Sequence, residues 1–276
     1  MTHSTAALVG ATGGAGTTRL AVELGATLAR DGREVAILDA AFGTEGLARH
    51  LSGRLEPDLT ELLTEDGAIA DGLRAHAVTG DLPGRLELCP ARAPFERLAR
   101  AKTADAARRF ERFVERAADE FDHVLVDTPP IAANQAVAAV TAAERTAVVA
   151  PASERGVDAV QRARGRVADV GASVDVVLAN RADVETDGIL EGETDREETG
   201  SDDPDHPLKS ADVAVPESRV TGADGAPASV DEPEAGFAPA VSRAAAVVFG
   251  AELQLEFEEP GLLDLDPEDL LPDALS

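Results

Sequence analysis

Seven short runs of Val, Leu, Ile and Ala, none alternating strictly with polar residues, constrain this chain more than any other feature. They are 5–11 (TAALVGA), 34–40 (EVAILDA), 86–91 (LELCPA), 123–130 (HVLVDTPP), 145–152 (RTAVVAPA), 173–180 (SVDVVLAN) and 212–216 (DVAVP). A strand wet on one face alternates, whereas a strand covered on both faces stays apolar throughout. Stretches with helical spacing separate most of the runs: TTRLAVELGATLARDG after the first, 103–121 before the fourth and 153–171 after the fifth. Strand and helix in turn predict an α/β fold, a doubly wound and mostly parallel sheet with helices on both faces. Small side chains must fill its interior, because only 3% of residues are aromatic and Tyr and Trp are absent. Ala, Val and Leu suit helices lying close on such a sheet.

Two stretches break the rhythm. Residues 183–211 are polar, acidic and rich in turn formers, and read as a long solvated insertion. From 251 the chain mixes acids with leucines at 262, 263, 265, 270, 271 and 275, and no Lys or Arg follows Arg243. Residues 1–250 therefore read as one domain carrying the insertion, and 251–276 as an acidic tail that either keeps the protein in solution or binds a partner.

The formal net charge is −27, spread along the chain, and Lys102 and Lys209 are the only lysines. Self-repulsion on this scale destabilises a compact state in dilute buffer. At molar salt the Debye length is about 3 Å and the repulsion is screened; the composition resembles that of proteins from extreme halophiles. The same charge argues against nucleic acid and anionic membranes as partners, since both are held by basic surfaces. Arg162, Arg164 and Arg166 share one predicted helix but read as its solvated face. The single cysteine, Cys89, lies in a strand run and reads as a buried structural thiol. The histidines have no metal-ligand spacing. No apolar run reaches the roughly 18 residues of a membrane span, and MTHSTAALVG lacks the basic start of a signal peptide. The expectation is a soluble, cytoplasmic protein.

Between the first strand and the first helix lies GATGGAGTTR, residues 10–19. A glycine-rich turn at that junction cradles phosphates: amides point inward, the helix start adds partial positive charge, and glycine lets the ligand approach the main chain. Gly13, Gly14 and Gly16 occupy this turn, and Thr18 opens the helix.

Taken with the later segments, the loop resembles the ParA/MinD family of P-loop ATPases, whose deviant Walker A motif reads KGGxGKT. TGGAGTT (12–18) aligns with that motif without gaps, and EVAILDAAFGTEGLARHL falls where the family has its second strand and Asp-x-Asp segment. HVLVDTPP matches the Walker B strand, and VVLANRADV the strand that ends in the adenine-reading Asn-Arg. AVPES is similar to the closing turn that precedes the last helix, here APAVSRAAAVVFG. The resemblance implies ATP or ADP held with Mg²⁺. Gly13, Gly14, Ala15, Gly16, Thr17 and Thr18 would surround the phosphates. Thr18 would ligate the metal, Asp39 and Asp127 would hold it through waters, Asn180 would read adenine, and Arg181 would stack on the base.

Three departures fall on the catalytic parts. Thr12 stands where the family's signature lysine reaches across a dimer, Thr17 where the general P-loop lysine binds the β and γ phosphates, and Ala41 where the second aspartate orients the attacking water. Arg19 completes the nucleotide-binding set as the cation next to the loop that could swing toward the phosphates, although one step further along the helix it is expected to point away. Phosphoryl transfer depends almost entirely on positioning and charge neutralisation. A hydrogen bond to a charged group contributes about 1.5–3 kcal/mol, so losing the P-loop lysine weakens triphosphate binding by about ten- to a few hundredfold. Losing all three groups lowers turnover by several orders of magnitude. The expected function is a nucleotide-binding switch or scaffold with little hydrolysis and an unidentified protein partner. The alternatives are a pseudoenzyme adaptor that binds no nucleotide and an active ATPase for partitioning or positioning. The family dimerises face to face over two nucleotides; a homodimer of this chain would lack the charge contact at Thr12.

Overall fold

Strands covered on both faces need helices above and below, and the chain places helices between most of its strands. The computed structural model describes residues 4–182, 208–220, 222, 226–230 and 236–257. Most of the expected insertion (183–207) and the leucine-bearing part of the tail (258–276) lie outside the described residues. The elements are β1 (Ser4–Gly10), α1 (Thr17–Arg30), β2 (Glu34–Asp39), α2 (Leu59–Thr64), β3 (Arg74–Ala75), β4 (Arg85–Cys89), α3 (Phe95–Ala101) and α4 (Ala104–Glu120). They continue with β5 (His123–Thr128), α5 (Asn134–Ala142), β6 (Arg145–Pro151), α6 (Glu154–Asp169), β7 (Val176–Ala182), β8 (Val213–Pro216) and α7 (Phe237–Phe249).

The eight strands form one sheet in the order β3-β4-β2-β5-β1-β6-β7-β8, parallel except where β3 pairs with β4. The seven expected strands are all present, and the doubly wound α/β fold is the one observed. The fold adds a two-residue antiparallel edge, β3, and shifts the 173–180 run to Val176–Ala182. Side chains alternate between the two faces. Leu8, Ile37, Leu125 and Val149 meet α1 and α7 on one side, while Leu38 and Val126 meet α4 on the other. Val9, Val148 and Val177 pack with α6 on that second side. Cys89 is wholly buried within this core, and burial pushes its thiol far above the usual range, as suits a structural residue. Arg162, Arg164 and Arg166 lie exposed on α6. Among the described residues no helix is long and apolar enough to cross a membrane.

Helix starts differ in a way that positions the site. Asp58, Thr103 and Ser153 accept hydrogen bonds from first-turn amides of α2, α4 and α6. Helix α1 has no side-chain cap and no acidic residue in its first turn. Its first amides therefore face outward with their hydrogen-bonding capacity and the helix's partial positive charge available.

Candidate nucleotide site

Parallel strands place their C-terminal ends, and the loops after them, along one edge of the sheet, where ligands of open α/β folds bind. The predicted residues from β1, β2, β5 and β7 all reach that edge. Gly14 (φ 76°) and Gly16 (φ 85°) adopt the left-handed conformation that glycine takes without strain, and they turn the chain from β1 into α1. Within the turn the Ala15 amide donates to the Thr12 carbonyl at 3.3 Å. Gly13 and Gly14 are exposed, so the turn is open to an anion.

Asp39 and Asp127 are direct neighbours in the β2–β5 register, which brings two buried carboxylates together under the loop. The Thr18 hydroxyl donates to Asp127 Oδ2 at 2.6 Å. Asp39 is held instead by the main chain, accepting from the Ala41 amide at 2.8 Å and the Ala91 amide at 3.2 Å. Burial, with the neighbouring Asp127 charge, holds the Asp39 carboxyl well above the usual range. Burial raises Asp127 to about 6, against the opposing pull of the Thr18 hydroxyl. The pair thus lacks the positive charge that would keep both groups ionised.

Positions 12, 17 and 41 carry short, uncharged side chains. Thr17 folds back over the end of β1, its hydroxyl 2.8 Å from where a Gly10 side chain would begin. Ala41 is buried, and its carbonyl accepts from the Thr44 amide and hydroxyl, both at 3.0 Å. No side chain at 12, 17 or 41 can bring charge to the loop.

At the other end of the site, Asn180 is engaged within the chain. Its Nδ2 donates to the Ala15 carbonyl at 2.8 Å, and its Oδ1 accepts from the Arg181 amide at 3.0 Å. Any side chain at Gly16 would collide with this amide, a second reason for glycine there. Arg181 itself is left-handed (φ 56°), at an irregularity between β7 and β8, and its guanidinium lies beside Gly16. A cavity of about 240 Å³ opens here, with Arg19, Asn180, Arg181, Pro216, Ser218 and Phe237 in its walls. Arg19 points to this end, as its helix position predicts for a residue directed away from the loop: Nε bonds Glu23 Oε1 at 2.6 Å.

Sequence reasoning missed Glu23. Its carboxylate is completely buried and also accepts from the Ser229 hydroxyl (2.6 Å), the Ser229 amide (2.9 Å) and the Ala228 amide (3.1 Å). The available signal is that residues 20–29 of α1 are otherwise apolar or small on every side, which predicts a helix buried all round and so an acid with internal partners. A larger cavity of about 590 Å³ lies between the 49–52 and 74–82 segments, holds none of the predicted residues and shares His50 with the smaller one.

Residues 4–175 match the family model described as an AAA domain. The chain belongs to that family. No curated protein matches it in sequence. Among solved structures, this AAA-domain chain is similar to the cell division ATPase MinD of Pyrococcus furiosus, with a TM-score of 0.69 and 19% identity. That match covers 89% of this chain and 98% of the other. The septum site-determining protein MinD of Pyrococcus horikoshii, solved with Mg-ADP, gives 0.69 at 20% identity, covering 89% and 95%. The MinC:MinD cell division complex of Aquifex aeolicus gives 0.67 at 20%, covering 92% and 98%. At these identities the likeness establishes a shared fold, that of the MinD-like P-loop ATPases.

Proposed function

We propose that this AAA-domain protein binds ATP or ADP weakly with Mg²⁺, hydrolyses it slowly, and serves as a nucleotide-set switch or scaffold for a protein partner. The observation that carries the reading is the Thr18–Asp127 bond of 2.6 Å under an uncapped, glycine-lined helix start. Main-chain amides and a helix end attract phosphate without any side chain. A hydroxyl that donates to a carboxylate keeps lone pairs for a metal, and the raised carboxyl pair beneath it favours a cation. Among the described residues no group of three His, Cys, Asp or Glu could cage a metal alone. That fits Mg²⁺, which keeps several waters and takes one or two carboxylates beside the phosphates. Thr18 would ligate it, with Asp39 and Asp127 holding its waters; when bound it would neutralise charge on the phosphates.

Slow hydrolysis follows from Thr12, Thr17 and Ala41, which leave the transition state without its cations and the attacking water without a guide. The solved MinD with Mg-ADP and the MinC:MinD complex support, by shared fold, a nucleotide and a protein partner; a homodimer belongs to the same reading. On this reading residues 1–250 form the nucleotide unit with its acidic insertion at 183–211, and 251–276 form an appended acidic tail. Calorimetric titration with Mg-ATP at molar salt, run beside a phosphate-release assay, tests it. Binding heat with release near background is the expected result. Absence of both heat and thermal shift would replace the switch with a nucleotide-free adaptor, and brisk release abolished by Asp127→Ala would make the protein an active ATPase.

A further inference from the structure

The larger cavity, between the 49–52 and 74–82 segments, carries chemistry of its own. Its volume of about 590 Å³ falls within the ~300–1,000 Å³ range of small-molecule sites. The decisive side chain in its wall is His76, which caps the short turn at 77–81: Nδ1 accepts from the Val78 amide at 3.2 Å. A ring nitrogen that accepts carries no proton, so in the neutral ring the proton sits on Nε2 and makes it a donor. Burial lowers the pKa of the ring and so keeps it neutral. Nε2 has no partner among the described residues, yet it is not sealed inside: the 4% of His76 that stays accessible includes it and faces this cavity. A donor so placed is satisfied only by what enters the cavity.

The walls set the charge of that occupant. Arg49 and Arg74 line the cavity against a single carboxylate, Asp81, in a chain whose formal net charge is −27. Arg74 is fixed by main-chain carbonyls, Nη1 donating to Asp71 at 2.7 Å and Nη2 to Glu56 at 2.9 Å, so its charge is held in place and not cancelled. Arg49 is exposed, and its guanidinium has no partner among the described residues. Glu23, the acid that acts on His76, is already paired with Arg19. Leu51, Val78, Leu82 and Val230 give the cavity an apolar side. A bare inorganic anion would leave that side idle, and a neutral hydrocarbon would leave Nε2 unmet. We propose that the cavity is a second ligand site for a small organic carboxylate, whose head meets Arg49 and His76 Nε2 and whose apolar body lies along the leucines and valines. The cavity shares only His50 with the smaller one and none of the glycine turn, so the proposal does not rest on the nucleotide reading.

The test uses phenylbutyrate, with phenylbutanol and phenylbutylamine as its neutral and cationic counterparts. Each is titrated into the full chain at molar salt and followed by equilibrium dialysis and by the nuclear resonance of His76 Nε2. Phenylbutyrate should bind about tenfold or more tighter than either counterpart and shift that resonance. His76→Asn keeps a side-chain oxygen for the Val78 amide and removes the donor; it should weaken phenylbutyrate by about tenfold and leave phenylbutanol unmoved. Arg49→Gln, at an exposed position, should do the same, and it carries the test should His76→Asn fail to fold by circular dichroism. Equal binding of acid and alcohol, no binding of the acid, or acid binding indifferent to the variants would overturn the proposal. So would displacement of phenylbutyrate by saturating Mg-ATP, which would put it in the nucleotide site. Each of these outcomes leaves the nucleotide reading standing.

Discussion

At the loop end of the site, two exposed glycines precede a helix whose first amides meet no cap, and the nearby side chains at 12, 17 and 41 are uncharged. At the β7–β8 end, Arg19, Glu23, Asn180 and Arg181 are bonded to one another's elements, to Ala15, or to Ser229 and Ala228. The first end works through the backbone, so substituting a side chain there leaves its anion-attracting geometry in place. The second works through buried polar groups that are stable only while every member has its partner. Side chains at the loop end can therefore change while the turn keeps its shape, whereas loss of one member of the Glu23 network should be felt throughout the molecule.

The largest test of that contrast is Glu23→Ala, which leaves two amides, a hydroxyl and a guanidinium without their acceptor. We expect a loss of about 3–5 kcal/mol in denaturant-derived stability, against about 0.5 kcal/mol for Thr17→Ala at the open loop. Equal losses would erase the distinction between the two ends.

Next in size is the pH response of the buried acids beneath the loop. The folded chain holds the Asp127 proton up to about pH 6, while the unfolded chain releases it near 3.8. Stability from this group is therefore full below the unfolded value and declines as pH rises through about 6. The fall amounts to about 3 kcal/mol at most. Asp39 is raised for the same cause and adds in the same direction. Asp127→Asn should flatten the slope and leave the protein more stable at pH 7; a variant whose stability still falls between pH 4 and 6 as steeply as the parent would remove Asp127 as the cause.

The smallest expected effect sharpens the loop end alone. On the proposed reading, Thr17→Lys adds one cation at the loop and should tighten ATP by about ten- to a hundredfold in calorimetry. Phosphate release should stay near background, because Ala41 still cannot orient water. An unchanged affinity would mean that the missing cation is not what limits the loop.

The sheet was legible because strands buried on both faces declare themselves as unbroken apolar runs, and all seven such runs became strands. β3 was not, since two residues paired antiparallel at an edge carry no periodic signal. The loop's glycines stood out because they cluster at a strand-to-helix junction; the left-handed backbone at Gly14 and Gly16 is a further reason for glycine that the structure adds. Asp39 and Asp127 could be named from motifs, but their adjacency is a product of sheet order: β5 pairs directly with β2 although α2, β3, β4, α3 and α4 intervene between them in sequence. Glu23 escaped notice because, Arg19 apart, its partners Ala228 and Ser229 are 205 and 206 residues away, in a short segment with no pattern of its own.

The bond from Asn180 to the Ala15 carbonyl joins the glycine turn to a strand two places away across the sheet. A turn latched in this way is already in its working shape before anything arrives. It has little conformational freedom left to surrender on association, so differences in affinity among ligands should be expressed in how long they stay rather than in how fast they enter.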